Sequence, residues 1–252
     1  MTLQEDPKDI VVVGAARTPQ GRMLGALAKK SSVDLGAETI KAVLECSGVA
    51  AGDVDYVLMG QVVQAGSGQN PAKQSAVAAG IPMNVPAMTV NKVCLSGLDA
   101  VINASRLIRL GDASIVVAGG QESMTNAPHI AAGVRAGKGY GSLALQDSLE
   151  RDGLSDPNEG TAMGLETDEG NAERGITREE QDEIAARSHQ LAEAATNEGV
   201  FAEEIVPIEV KGRKETVTVT ADEGIRPGTT AEGLAKLRPA FSPEGTITAG
   251  SA

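Results

Sequence analysis

The strongest constraint on this chain is an alternation that runs through its first 120 residues. Four short runs, IVVVGAA (10–16), VDYVLMGQVV (54–63), PAMTVNKV (86–93) and SIVVAGG (114–120), are β-branched or continuously apolar and bounded by Gly, Asp or Pro. Runs of that kind read as strands buried on both faces. Between them, SVDLGAETIKAVLECSG (32–48) places Val33, Gly36, Ala37, Ile40, Val43 and Leu44 on one side of a helix that ends at Gly48. Asp34, Glu38, Lys41 and Glu45 fall on the other side. NPAKQSAVAAG (70–80) and CLSGLDAVINASRLIRLG (94–111) repeat the plan. Strand and helix in alternation predict a mostly parallel sheet covered by helices, an α/β fold. Only 2% of the residues are aromatic against 41% hydrophobic, so Ala, Val, Ile, Leu and Met must build the core.

The pattern changes after Gln121. Residues 122–160 are rich in small residues without a clear period, as in AAGVRAGKGYGS, and read as irregular surface structure. Thr177, with Glu180 three positions on, forms a capping box that opens the helix ITREEQDEIAARSHQLAEAATNEG, closed by Gly199. VPIEV and ETVTVT then read as strands around the basic turn KGRK (211–214). Residues 122–245 are expected to form a second structural unit, and GTITAGSA begins another apolar run.

A net charge of −12 argues against nucleic acid and anionic membrane as partners. Two cysteines, Cys46 and Cys94, are too few for a disulfide framework. The opening MTLQEDPKD lacks the basic start and apolar core of a signal peptide, and no apolar run is long enough to span a bilayer. The cytoplasm is the expected location.

Cys94 sits where an extended run turns into a helical pattern. Packing is the commoner reason for a cysteine. Yet the N–H groups and positive dipole end of a first turn stabilise an anion, the form in which a thiol is a nucleophile, and Lys92 adds charge nearby. Cys46 falls in the last turn of its helix, where the dipole has the opposite sign, and is read as structural. Gly97 removes a side chain where a ligand or another backbone could approach, or simply relieves helix crowding. The chain offers two histidines as bases: His129 just past a strand end, and His189 on a helix flank where it reads as solvated. AGSGQNPAKQ (65–74) and GAARTP lack the phosphate-loop and dinucleotide fingerprints and read as tight turns. No Cys/His cluster has metal-ligand spacing. KGRK and Arg226 are candidates for holding an anionic ligand, against the plainer reading of solvated charge.

Taken together, AARTPQGR, MGQVVQAGSGQNPAKQSAVAAGIP, NKVCLSGLDAV, VVAGGQESMTNAPH and KLRPAFSPEGTITAGSA resemble the thiolases, in particular the short-chain acetyl-CoA acetyltransferases. The segments occur in the family's order and cover essentially the whole chain. The resemblance implies a thiolase half-domain of βαβαβαββ type, with a mixed sheet covered by helices, over residues 1–121. An inserted α+β loop domain that binds coenzyme A and assembles a tetramer is implied over 122–245. Residues 246–252 would start the return to the first domain and stop short.

Cys94 matches the acyl-accepting nucleophile, with its backbone N–H contributing to an oxyanion hole. Leu154 and Met163 match loop-domain positions near the substrate, and Arg226 a basic residue near the nucleotide end of coenzyme A. Ala162 stands where the family often has a histidine, a departure that touches acyl-pocket detail rather than the nucleophile. The family continues into a second half-domain with an activating histidine and a second catalytic cysteine, so the resemblance makes these residues the N-terminal part of a thiolase, inactive alone. It implies acetyl-CoA and CoA as substrates, no tightly bound cofactor, no metal, and a homo-oligomer built as a dimer of dimers. A ketoacyl synthase, which also uses a helix-start cysteine but with a carrier-protein donor, is the enzymatic rival; ESMTNAPH and KLRPAF favour thiolase. A truncated CoA-binding module without turnover is the non-catalytic one.

Overall fold

The computed structural model describes residues 9–252. In chain order its elements begin with helix α1 (Ser32–Ser47), strand β1 (Tyr56–Gly60), helix α2 (Pro71–Ala78), strand β2 (Ala87–Val90), helix α3 (Ser96–Leu110) and strand β3 (Val116–Gly120). Two short strands follow, β4 (His129–Ile130) and β5 (Gln146–Asp147), then a π-helical turn, Glu150–Leu154. Helices α4 (Met163–Arg174) and α5 (Arg178–Asn197), strands β6 (Ile208–Lys211) and β7 (Thr216–Val219), and helix α6 (Ala231–Leu234) complete the order.

Packing divides the chain into two compact units. One comprises the chain up to Pro128 with Glu204–Ala221, the other His129–Glu203 with Asp222–Ala252. This division does not follow the expected boundaries at 121 and 245, because the β6–β7 hairpin returns to the first unit. Arg17 explains the return: its N–H donates to Glu204 O (2.8 Å), its carbonyl accepts from Val206 N–H (2.8 Å), and its guanidinium meets Glu204 Oε1 at 2.7 Å. Ile208, Val210 and Val219 of the hairpin then bury with Leu27 in a core of their own.

The sheet of the first unit has the order β2-β1-β3, all parallel. Side chains alternate across a strand, and β1 shows what each face meets. Val57 and Met59 pack with Ile40 and Leu44 of α1 and Ala72 and Ala76 of α2. Leu58 points the other way, onto Ala100 and Ala104 of α3. All three β1 residues are at most 2% exposed, so helices cover both faces in the three layers the continuous apolar run YVLM implied. Burying a side chain like Leu58 stabilises by about 1.5–3 kcal/mol.

Caps account for the helix ends. Ser31 Oγ accepts from Asp34 N–H (3.1 Å) while the Asp34 carboxylate accepts from Ser31 N–H (3.0 Å) at the start of α1. Gly48 ends that helix at φ 70°, a left-handed conformation that costs glycine nothing. Thr177 and Glu180 form the expected capping box at α5. Helix α4 has no counterpart in the sequence reading, because MGLETDEGNAER carries no apolar stripe to signal it.

Residues 10–16 differ from expectation. The segment enters no ladder among the described residues, and Val11, Val12 and Val13 are 70%, 81% and 64% exposed. It instead follows the last turn of α1, where a Cβ on Gly14 would meet Ser47 Cβ at 2.9 Å.

Within the second unit, α4 is tied to the C-terminal loop by Asp168. Its buried Oδ1 accepts from the N–H groups of Thr246 (2.8 Å) and Ile247 (2.9 Å). No helix among the described residues is long and apolar enough to cross a membrane.

Candidate active-site cysteine and ligand cleft

Cys94 lies just past the C-terminal end of β2, on the side of the parallel sheet where α/β folds place ligands. It does not open the helix as expected: α3 begins at Ser96, with Leu95 as its cap residue. The intervening turn is built by three-residue hydrogen bonds, Leu95 N–H to Lys92 O (3.1 Å) and Ser96 N–H to Val93 O (3.0 Å). Val93 stands at φ 49°, the left-handed region that a β-branched residue rarely occupies. The turn leaves the Cys94 thiol exposed. Cys46 is exposed as well, with Sγ 3.4 Å from Val43 O of its own helix and 3.9 Å from Ala15 O.

The charge of Lys92 does not stand open beside the thiol. Its Nζ is 2.8 Å from Asp99 Oδ1 on α3, and that hydrogen bond is the main reason the Asp99 carboxyl titrates below its ordinary value. Glycines let α3 approach the sheet: a Cβ on Gly60 would fall 2.5 Å from Ser96 C and 2.6 Å from Gly97 N, and Gly97 lies against Gly120. The helix start therefore rests directly on the ends of β1 and β3.

Beside it the same strand ends carry a buried polar network. Ser75 Oγ donates to Gln121 Oε1 (2.7 Å), Gln121 Nε2 to Gln61 Oε1 (3.0 Å), and Gln61 Nε2 to Val63 O and Ser67 Oγ (3.0 Å each). Glu122 accepts from Val62 N–H (2.7 Å) and Val63 N–H (3.3 Å). Burial nonetheless raises its carboxyl above the ordinary value, outweighing those amide bonds. None of Gln61, Gln121 or Glu122 stands out by sequence alone, since nothing in the strands' apolar pattern marks a polar residue one or two steps past a strand end as withdrawn from solvent.

The other three expected site residues belong to the second unit. Leu154 closes the π-helical turn and Met163 opens α4, both more than a third exposed. The antiparallel bridge between Ser155 and Ala162 sets Leu154 and Met163 opposite one another on adjacent segments. Ser155 also lines a cavity of about 540 Å³ with Arg151, Asp152 and Asp156.

Arg226 lines a separate cavity of about 390 Å³ with His189, Thr229, Thr230 and Leu234. Its backbone N–H donates to His189 Nδ1 at 3.3 Å, so His189 is engaged rather than solvated. Gly228 N–H to Glu193 Oε2 (3.0 Å) and Gln190 Nε2 to Thr229 O (3.0 Å) tie the same loop to α5. His129, in β4, is exposed and pairs with Asp147. Among the described residues no group of three or more His, Cys, Asp or Glu is arranged to hold a metal ion.

Cys94 thus stands exposed on a tight turn between a parallel strand and the helix behind it. The model of the family described as "Thiolase, N-terminal domain" matches residues 10–252. The chain belongs to the thiolase family. It is 52% identical over 243 residues to a probable acetyl-CoA acetyltransferase of Mycolicibacterium smegmatis, covering 96% of this chain and 63% of that protein. An acetyl-CoA acetyltransferase of Pseudomonas aeruginosa is 51% identical, with 97% of this chain and 63% of the relative covered. Among solved structures, the Bacillus anthracis acetyl-CoA acetyltransferase superposes with a TM-score of 0.92 at 38% identity, over 96% of this chain and 61% of that one. The thiolase fold is therefore shown, and the chain spans less than two thirds of the length of these thiolase relatives.

Proposed function

We propose that Cys94 is the acyl acceptor of a thiolase that moves an acetyl group between coenzyme A thioesters. The carrying observation is the exposed thiol on the Asn91–Ser96 turn, within a chain about half identical to named acetyl-CoA acetyltransferases. The Cys94 thiolate attacks the acetyl-CoA carbonyl, and backbone N–H donors, that of Cys94 among them, hold the tetrahedral oxyanion. The carbon–sulfur bond to CoA breaks, CoA leaves as the thiol after taking a proton, and the acetyl group stays on Cys94 as a thioester. The enolate of a second acetyl-CoA then attacks that thioester, giving acetoacetyl-CoA and freeing Cys94. Thiolysis of a 3-ketoacyl-CoA runs the same steps backwards.

In the second unit, the exposed guanidinium of Arg226 beside the 390 Å³ cavity suits the anionic nucleotide end of coenzyme A. Leu154 and Met163, side by side through the Ser155–Ala162 bridge, suit its apolar acyl end. Coenzyme A is substrate here, with no resident cofactor, and the assembled protein is a homo-oligomer. On this reading the 252 residues accept the acetyl group and complete no turnover by themselves.

Donor preference tests the reading. Labelled acetyl-CoA and labelled acetyl carrier protein are offered separately to the purified chain. Incorporation from acetyl-CoA is expected. Strict preference for the carrier would replace the thiolase reaction with that of a ketoacyl synthase, and no incorporation from either would leave a binding module.

A further inference from the structure

Val93 pays a conformational cost at φ 49° that only its surroundings can sustain. The group in place to sustain it is the hydroxyl of Ser96, a residue only 3% exposed. Ser96 Oγ donates to Val93 O at 2.6 Å and accepts from Lys92 N–H at 2.8 Å, so one hydroxyl bridges the two ends of the Lys92–Val93 backbone and holds the carbonyl of the strained residue. Ser96 cannot relax away, because a Cβ on Gly60 would already lie 2.8 Å from Ser96 Cβ: the end of β1 presses on it directly. Asn91 Oδ1, accepting from Val93 N–H at 3.0 Å, closes the other side of the turn.

We propose that Ser96 is a positioning residue, whose hydroxyl locks Val93 in its left-handed conformation and thereby fixes where the Cys94 thiol points. The proposal rests on the reading of Cys94 as acyl acceptor; the Val93 strain and the Ser96 hydrogen bonds that motivate it come from the turn itself. Glycine adopts positive φ without strain, so Val93→Gly gives a background in which the lock has nothing to hold.

The experiment measures alkylation of Cys94 by iodoacetamide across neutral to alkaline pH in four forms of the chain: wild type, Ser96→Ala, Val93→Gly and the double variant. Cys46, exposed on α1, is the internal control for unfolding. Ser96→Ala is expected to slow Cys94 about ten-fold and displace its pH profile, with Cys46 unchanged. In the Val93→Gly background the same change should alter the rate by less than about two-fold. Equal losses in both backgrounds, an unchanged Cys94 rate in Ser96→Ala, or parallel changes at Cys46 would each overturn the proposal. Acetyl-CoA offered to the wild type separates the two ideas: no acetyl on Cys94 defeats the acyl-acceptor reading, while the iodoacetamide series still decides the role of Ser96.

Discussion

Gly36 offers a prediction whose sign runs against the usual rule. It lies inside α1, where glycine to alanine ordinarily stabilises a helix by up to about 1 kcal/mol. Here a Cβ would fall 2.0 Å from Gln121 Oε1 and 2.9 Å from both Gln121 Cδ and Ser75 Oγ. Gln121 is 6% exposed and Ser75 is fully buried. For Gln121 to retreat, its bonds with Ser75 (2.7 Å) and Gln61 (3.0 Å) must stretch or break. Overpacking costs about 1–3 kcal/mol and a buried polar group left unpaired about 1–3 kcal/mol. Less the helix gain, Gly36→Ala should destabilise by about 1–5 kcal/mol. Urea unfolding of the single variant and of Gly36→Ala in a Gln121→Ala background measures it. With Gln121 truncated only the 2.9 Å approach to Ser75 Oγ remains, so the second comparison should show a markedly smaller cost. A stabilised Gly36→Ala, or the same cost in both backgrounds, would refute the reasoning.

Three further outcomes follow from the same geometry. Burial raises the Glu122 carboxyl, so the folded chain holds that proton to higher pH than the unfolded chain does. Its stabilising share is full below the unfolded value, about pH 4, and is lost as pH rises through the raised folded value. Thermal unfolding across pH should show wild type losing ground to Glu122→Gln over that window; a pH-independent difference contradicts it. Thr177→Ala, which removes the acceptor for Glu180 N–H at the start of α5, should cost about 1 kcal/mol by denaturant titration. An unchanged midpoint would mean the cap contributes nothing. Leu58→Ala, emptying a fully buried site between β1 and α3, should cost about 2–5 kcal/mol in the same assay, and a loss below about 1 kcal/mol would show that the layers close over the gap.

Much of the first unit was legible because its information is local. YVLM is apolar at every position and proves to be the central strand, buried on both faces. Gly48 and Thr177 terminate helices by their own backbone and side-chain chemistry, and each does so where the sequence places it. What stayed hidden depends on partners distant in the chain. The valines at 11–13 have strand character, but a strand exists only where a ladder partner lies alongside. The β6–β7 hairpin joins the first unit through Arg17, 187 residues from Glu204, a pairing that no window of sequence reveals. At the cysteine, NKVCLSG marked the place but not the conformation. Nothing about a valine announces positive φ, and Ser96 reads as an ordinary helix residue until its two hydrogen bonds are seen. Lys92 read as free positive charge because Asp99, its partner, lies one turn into a helix whose start was misplaced by two residues.

The measurement that bears most directly on the account is peptide mass spectrometry of the chain after incubation with acetyl-CoA, run beside Cys94→Ser and followed by hydroxylamine, which cleaves thioesters. Acetyl confined to the peptide bearing Cys94, removed by hydroxylamine and absent from Cys94→Ser, is the predicted result. Label on Cys46 or on lysines with none at Cys94 would contradict the assignment of Cys94 as the acyl acceptor.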